Sequence, residues 1–450
     1  MSQSKKNSLE VDPLEALEDV RQLRAIIEGL QDTIAFQSNQ LRVARRKLAS
    51  LPDVGELERL YEYDHDSAYA YERLRRTSGN WRIFQDSRRT RTSEVAALDR
   101  AVSIMRSDLQ NSPELYRPSE FWEVFFGHNM QQLRDVGLSN FKVTVNQNYQ
   151  NFIPRSLDDP KIKRLTEWFL SEPSIRPFLS FIENPDHLTD EGYLAQPDTQ
   201  IFRNDPQQMA LYEMLVVLGW EYCKSRDPLG ICSRLEEPEL GNPIRVHYEG
   251  KLISQDLSTS FVEVTDFLGP WRERYGDNPV SIIEIGGGYG RLAHAMMSTT
   301  MVDKYFVVDI PPALHVSRWY LEKLFPEKVI FEYRPFTEWD EVASDVEKSD
   351  IVFLLPRQIE LIPDQMVDIG ISVSSLHEMR LAQANNYLKQ LARIVRHFIG
   401  SKQYWSYDNP HDDIVLKHED YKIPEGFSRL MLKDDTLNPV FFVDVLQKQE

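Results

Sequence analysis

One stretch constrains this chain more than any other. Residues 281–290 read SIIEIGGGYG, and RLAHAMM follows. An apolar run of strand length ends at Glu284, and a glycine-dense turn comes next. Leu292, Ala293, Met296 and Met297 then recur at helical spacing. Strand, tight turn and helix open a doubly wound α/β domain. Glycine suits the turn because the backbone must reverse sharply and let a ligand approach, which a Cβ would block. A dinucleotide fingerprint, G-x-G-x-x-G, would place its third glycine at position 291, which is Arg291. The third glycine is instead Gly290, so the spacing argues for another ligand.

The resulting pattern, Glu284-x-Gly286-x-Gly288-x-Gly290, resembles the first motif of class I S-adenosylmethionine-dependent methyltransferases. The resemblance implies a Rossmann-like α/β fold whose glycine turn lies against the methionine part of the cofactor. The following helix N-terminus favours the cofactor's carboxylate. Residues 305–312, YFVVDIPP, agree with this. An apolar strand ends there in Asp309, about 20 positions past the turn, where α/β nucleotide sites hold a ribose. A carboxylate can accept hydrogen bonds from both ribose hydroxyls. Pro311 and Pro312 then suit a helix start, where a missing N–H is harmless.

Composition bounds the rest. The 450 residues suffice for two or three domains, and a net charge of −18 argues against a general nucleic-acid binder. The two cysteines, Cys223 and Cys232, suggest neither a disulfide framework nor a zinc cluster. With no signal peptide and no long apolar run, no membrane span is expected, and a cytoplasmic protein is.

Residues 1–12 read as a disordered polar tail. From Val20, apolar residues fall at heptad spacing through Leu23, Ile27, Leu30, Ile34, Leu41, Ala44 and Leu48. Residues 13–50 are therefore expected to form a coiled coil that makes a homo-oligomer. An amphipathic helix folded onto the protein's own body is the alternative. Residues 51–268 read as mainly helical, with a basic patch from Arg73 to Arg91 expected to be solvated or paired with acids. A break at Gly269-Pro270 places the start of the methyltransferase domain there, covering 269–450.

Residues 113–155 are rich in aromatics and amides, including Phe121, Trp122, Asn140, Phe141, Lys142, Asn148 and Tyr149. These, with Ser254-Gln255-Asp256, resemble the sugar O-methyltransferase family of bacteria over roughly residues 115–446. The resemblance implies a sugar or glycan-linked acceptor, with Asn148, Tyr149, Gln255 and Asp256 closing over it. Amides and acids serve sugar hydroxyls, and aromatic rings stack on sugar C–H faces.

Two apolar runs compete for the third strand of the sheet, at 329–333 and 351–355. The second is preferred, making Arg357 and Gln358 neighbours of the adenine. Residues 367–379 read as a strand running into Ser374, Ser375, His377 and Glu378. Side chains at the carboxyl ends of such strands face the ligand. Ser375 is assigned to the cofactor. His377 is expected as the base that takes the hydroxyl proton, with Glu378 orienting it or bonding the acceptor. His294 is expected to pack. The acids and histidines of 408–420 show no tight metal motif. Two final strands with no helix between them suggest an antiparallel hairpin.

The expected activity is methyl transfer to a sugar hydroxyl by in-line displacement. Rival expectations are a non-sugar or lipid-linked acceptor, or a non-catalytic coiled-coil scaffold.

Overall fold

The computed structural model describes residues 95–142, 160–171, 206–243, 246–409 and 414–449. The tail, the expected coiled coil, the basic patch, Asn148 and Tyr149 lie outside the described residues.

The first part is helical, with α1 (residues 95–110), α2 (Glu120–Val136), α3 (Pro160–Ser171), α4 (Pro206–Lys224) and the short α5 (Ile231–Arg234). An antiparallel pair, β1 (Val246–Tyr248) and β2 (Lys251–Ile253), leads into α6 (Gln255–Tyr275). Ser254 caps α6, its hydroxyl accepting from the Leu257 N–H at 3.2 Å. The helix runs straight through the expected break at Gly269-Pro270. An interior proline costs ~3 kcal/mol. Phe267, Leu268 and Trp271 around it are all buried, and each large apolar side chain returns about 1.5–3 kcal/mol. Tertiary packing thus overrides the local signal.

The α/β part alternates β3 (Val280–Ile285), α7 (Arg291–Thr299), β4 (Val302–Val308), α8 (Ala313–Leu324), β5 (Ile330–Phe331), α9 (Ala343–Glu347), β6 (Ile351–Leu354), β7 (Val367–Val373), α10 (Leu381–Ile394) and β8 (Val395–Tyr404). A small hairpin of β9 (Ser406–Asn409) and β10 (Ile414–Lys417) follows, then β11 (Phe427–Asp434) and β12 (Phe441–Lys448). The main sheet has the order β11-β12-β8-β7-β3-β4-β6-β5. From β8 to β5 all neighbours are parallel. β12 inserts antiparallel between β8 and β11. The order and directions are those of the expected Rossmann-like α/β sheet ending in an antiparallel hairpin.

Every residue of β3 and β6 is buried, as near-continuous apolar strands covered on both faces must be. β6 lies beside the Asp309-bearing β4, so the second of the two competing runs takes the third place. β5 is a two-residue strand beyond it. β8 begins directly at Val395, where α10 ends.

Candidate active site

The sheet order reverses between β3 and β7, and ligands of open α/β sheets bind beyond the carboxyl ends at such a switch point. A cavity of about 190 Å³ lies there. Ile285, Gly286 and Gly288 form one wall with Val308 and Asp309, and Val373, Ser374, Ser375 and Glu378 form another. Ser119, Trp122 and Phe126 close it from the helical part, and Tyr387 reaches in from α10.

The glycines differ in what they do. A Cβ on Gly286 would sit 2.4 Å from Ser375 Cβ, at φ +76°. This glycine lets the β3 turn touch the β7 loop. A Cβ on Gly288 would meet nothing within 4 Å, leaving open space on the cavity side. Gly290 packs against Leu321 of α8, 3.1 Å from its would-be Cβ. It seats helix on helix rather than touching the cavity.

Asp309 holds the turn in shape. Its carboxylate accepts from the Gly288 N–H and the Ile310 N–H, each at 2.6 Å. Burial pushes its pKa up to about 7, against the pull of those two N–H groups. Glu284 lies deeper, accepting from the Tyr305 hydroxyl at 2.7 Å, and burial raises it to about 7. It supports β3 against β4 and is absent from the cavity wall.

Ser375 lines the cavity, its hydroxyl donating to the Ile285 carbonyl at 2.9 Å. Ser374 before it has φ +54°, a left-handed conformation uncommon for residues other than glycine. Such strain gathers at functional sites.

Glu378 faces the cavity with its side chain 15% exposed. The Trp122 indole N–H donates to its carboxyl. Burial pushes its pKa up to about 8, so most of it is neutral near pH 7. His377, the expected base, is not on the cavity wall. It is 2% exposed, with its ring centroid 4.8 Å from Tyr404 and 4.5 Å from Tyr407. The Gln403 amide donates from Nε2 to the Ser372 carbonyl, and its Oε1 accepts from the His377 backbone N–H. That oxygen also faces Nδ1 at 2.9 Å. Nδ1 therefore carries the proton, and Nε2 points its lone pair towards Glu378 Oε1, 3.8 Å away. Burial pulls His377 down to about 4, so it is a neutral ring packed among Gln403, Tyr404 and Tyr407.

Other expected residues fall elsewhere. Of the loop after β6, Pro356 reaches the cavity and Arg357 and Gln358 do not. Gln358 is buried and folds its own loop, accepting from the Leu355 N–H and donating to the Arg334 carbonyl, both at 2.9 Å. Gln255 and Asp256 are buried at the start of α6. Asp256 accepts from the Tyr289 hydroxyl and lies 4.0 Å from Arg291 Nε. It braces the glycine turn from beneath, away from the cavity. His294 packs against Tyr320 and Phe325. No group of three or more metal-ligating side chains occurs among the described residues.

The sequence pointed to residues 51–268 as a helical cap contributing to the acceptor site, but not to which of its side chains face the cavity. The segment before α2 is tied down by Ser119 Oγ donating to the Glu378 carbonyl and Gln383 Nε2 donating to the Arg117 carbonyl, both at 2.8 Å. Tyr116 adds a 2.7 Å bond to Glu360. The aromatic density around Trp122 was the only signal, and it does not say which ring faces the site.

No family model matches this sequence, and neither does any curated protein. Among solved structures it is similar to magnesium protoporphyrin IX methyltransferase from Synechocystis PCC 6803 with bound SAM, at 10% identity and TM-score 0.30 over 43% of this chain and 83% of that one. It is also similar to a SAM-dependent methyltransferase from Aquifex aeolicus, at 12% identity and TM-score 0.25, covering 42% and 98%. Scores this low decide nothing about the chemistry, which rests on the sheet order and the cavity.

Proposed function

We propose that this chain is an S-adenosylmethionine-dependent O-methyltransferase acting on a hydroxyl of a sugar or glycan-linked acceptor. The observation that carries the reading is the open Gly288 beside Asp309, on neighbouring strand ends of a doubly wound sheet. The residues fit the cofactor. Gly288 leaves free the space that a side chain would fill, and Asp309 presents a carboxylate to ribose hydroxyls. Pro356 and Ile310 offer apolar surface beside them. When bound, the cofactor supplies an electrophilic methyl group on a sulfonium.

Glu378 then has the base's task. It accepts the acceptor's hydroxyl proton, and its raised pKa suits it to do so near neutral pH. The Trp122 indole N–H holds its carboxyl in place. Trp122, Phe126 and Tyr387 shield the site from water and give a sugar its stacking faces. The sugar assignment draws support from these rings and from the family resemblance. The same reading divides the chain into the oligomerising segment 13–50, a helical cover and the methyltransferase domain, and places it in the cytoplasm.

Purified protein incubated with labelled S-adenosylmethionine and a panel of sugars, nucleotide sugars and phenols tests the acceptor class. Label should reach sugar hydroxyls, and transfer to phenols alone would refute the sugar assignment.

A further inference from the structure

The cover carries an annex that the proposed reaction does not use. A pocket of about 40 Å³ lies on the outer side of Trp122, lined by Arg106, Gln110, Arg117 and Glu123 among others. It shares Arg117, Pro118, Trp122, Phe126, Ile310 and Pro311 with the main cavity, so the two adjoin across these residues. The volume is a little more than a water's share of the liquid, about 30 Å³, and fits a carboxylate or the tip of a phosphate.

Its charges are unequal. Arg106 is already committed, bonding Glu123 at 2.7 Å and stacking 3.9 Å over the Phe126 ring. That pair is neutral. Arg117 remains. Its Nε donates to the Ser112 carbonyl at 2.8 Å, which orients the guanidinium. Its two Nη groups have no hydrogen-bond partner among the described residues, and the side chain is exposed at the mouth. Arg117 is also the only cationic residue lining the main cavity among the described residues, opposite the carboxyls of Asp309 and Glu378. In a chain with net charge −18, one oriented guanidinium with two open donor groups is a specific feature.

We propose that Arg117 and the annex form an anion subsite, and that the acceptor carries a carboxylate or phosphate which docks there while its hydroxyl meets Glu378. The proposal rests on the methyltransferase reading for the second half of that statement. The cofactor's own carboxylate is the other possible source of the anion. Position favours the acceptor, because the annex includes none of the glycine-turn residues against which the cofactor's methionine part is proposed to lie.

The test is calorimetry on the full chain and its Arg117→Met and Arg117→Lys variants, with and without S-adenosylhomocysteine. The probes are inorganic phosphate, glucose 6-phosphate and glucose. Wild type should bind phosphate saturably and prefer glucose 6-phosphate to glucose. Arg117→Met should weaken phosphate binding by at least ~10-fold and erase the preference. Arg117→Lys should restore part of both, which a cover merely loosened by losing the Ser112 bond would not. S-adenosylhomocysteine affinity should change less than about 2-fold. Phosphate binding that is absent, or indifferent to Arg117, overturns the proposal. A loss of S-adenosylhomocysteine affinity matching the loss of phosphate overturns it too, by assigning Arg117 to the cofactor. Failure of wild type to bind S-adenosylhomocysteine instead defeats the methyltransferase reading, and the phosphate comparison still decides the subsite.

Discussion

At the scale of single residues, Glu378, the proposed base, carries the sharpest predictions. Its carboxyl is held neutral to about pH 8 by burial, whereas an unfolded glutamate ionises near 4.3. Between those values the folded state keeps a proton that the unfolded state has lost. Stability contributed by this group therefore falls as pH rises through that window. Glu378→Gln removes the titration, so the melting temperature of the variant should gain on wild type between pH 5 and pH 9, in protein without cofactor. A gap that stays constant with pH would show that Glu378 ionises normally. For catalysis the sign is opposite, because the base must be ionised. Wild-type kcat should rise with pH towards a plateau above about 8, and Glu378→Gln should lower it by ~10²–10⁴-fold with cofactor affinity spared. The histidine one position earlier was the more obvious base in the sequence. What disqualifies it is the enclosing cluster of Gln403, Tyr404 and Tyr407, brought in from β8 and β9 and invisible to local reading.

Among elements, the β3 turn and the end of β7 form a single unit. Gly286→Ala would drive a Cβ into Ser375 at 2.4 Å and force φ +76° on alanine. A loss of about 2–5 kcal/mol should follow in denaturant unfolding. Gly250→Ala, at φ +80° with nothing within 4 Å, tests the backbone strain alone and should cost about 1 kcal/mol. Equal losses in the two variants would mean that the close approach to Ser375 does not matter. This motif was legible because glycine spacing and the strand-ending acid are local signals. The final hairpin was legible for the same reason, through two apolar runs with no helix between them. The Gly269-Pro270 break was misleading because burial of Phe267, Leu268 and Trp271 is a long-range fact.

At the largest scale, a buried ionic network joins the described helical part to the α/β part. Lys142 bonds Glu237 at 2.6 Å and the Tyr320 hydroxyl at 2.9 Å. Glu237 also accepts from Ser254 at 2.6 Å. Burial draws Lys142 down more than any single partner raises it, but Glu237 and Tyr320 together leave its pKa above the ordinary value, so the lysine stays charged. Arg291 and Lys402 share Glu263 nearby. Asn140 to Lys142 and Ser254 to Asp256, the segments that carry the family resemblance, belong wholly or partly to this seam, and with them Asp256, which was expected at the acceptor. A buried charge network and a sugar site draw on the same residue types, so composition could not separate them. Lys142→Met leaves Glu237 buried without its cation and should cost about 3–5 kcal/mol; a stability unchanged by the substitution would remove the network from the account. At the same scale, the proposed assembly through residues 13–50 predicts a multiple of the chain mass for the full-length protein by light scattering and a smaller species once residues 1–50 are deleted; a mass that the deletion does not change would contradict it.

The central claim is that Asp309 and the glycine turn hold S-adenosylmethionine. Titrating it calorimetrically into wild type and Asp309→Ala tests this directly. Saturable binding of one molecule per chain, weakened about 10–100-fold by the substitution, is the predicted result. No saturable binding, or an affinity that ignores Asp309, would contradict it.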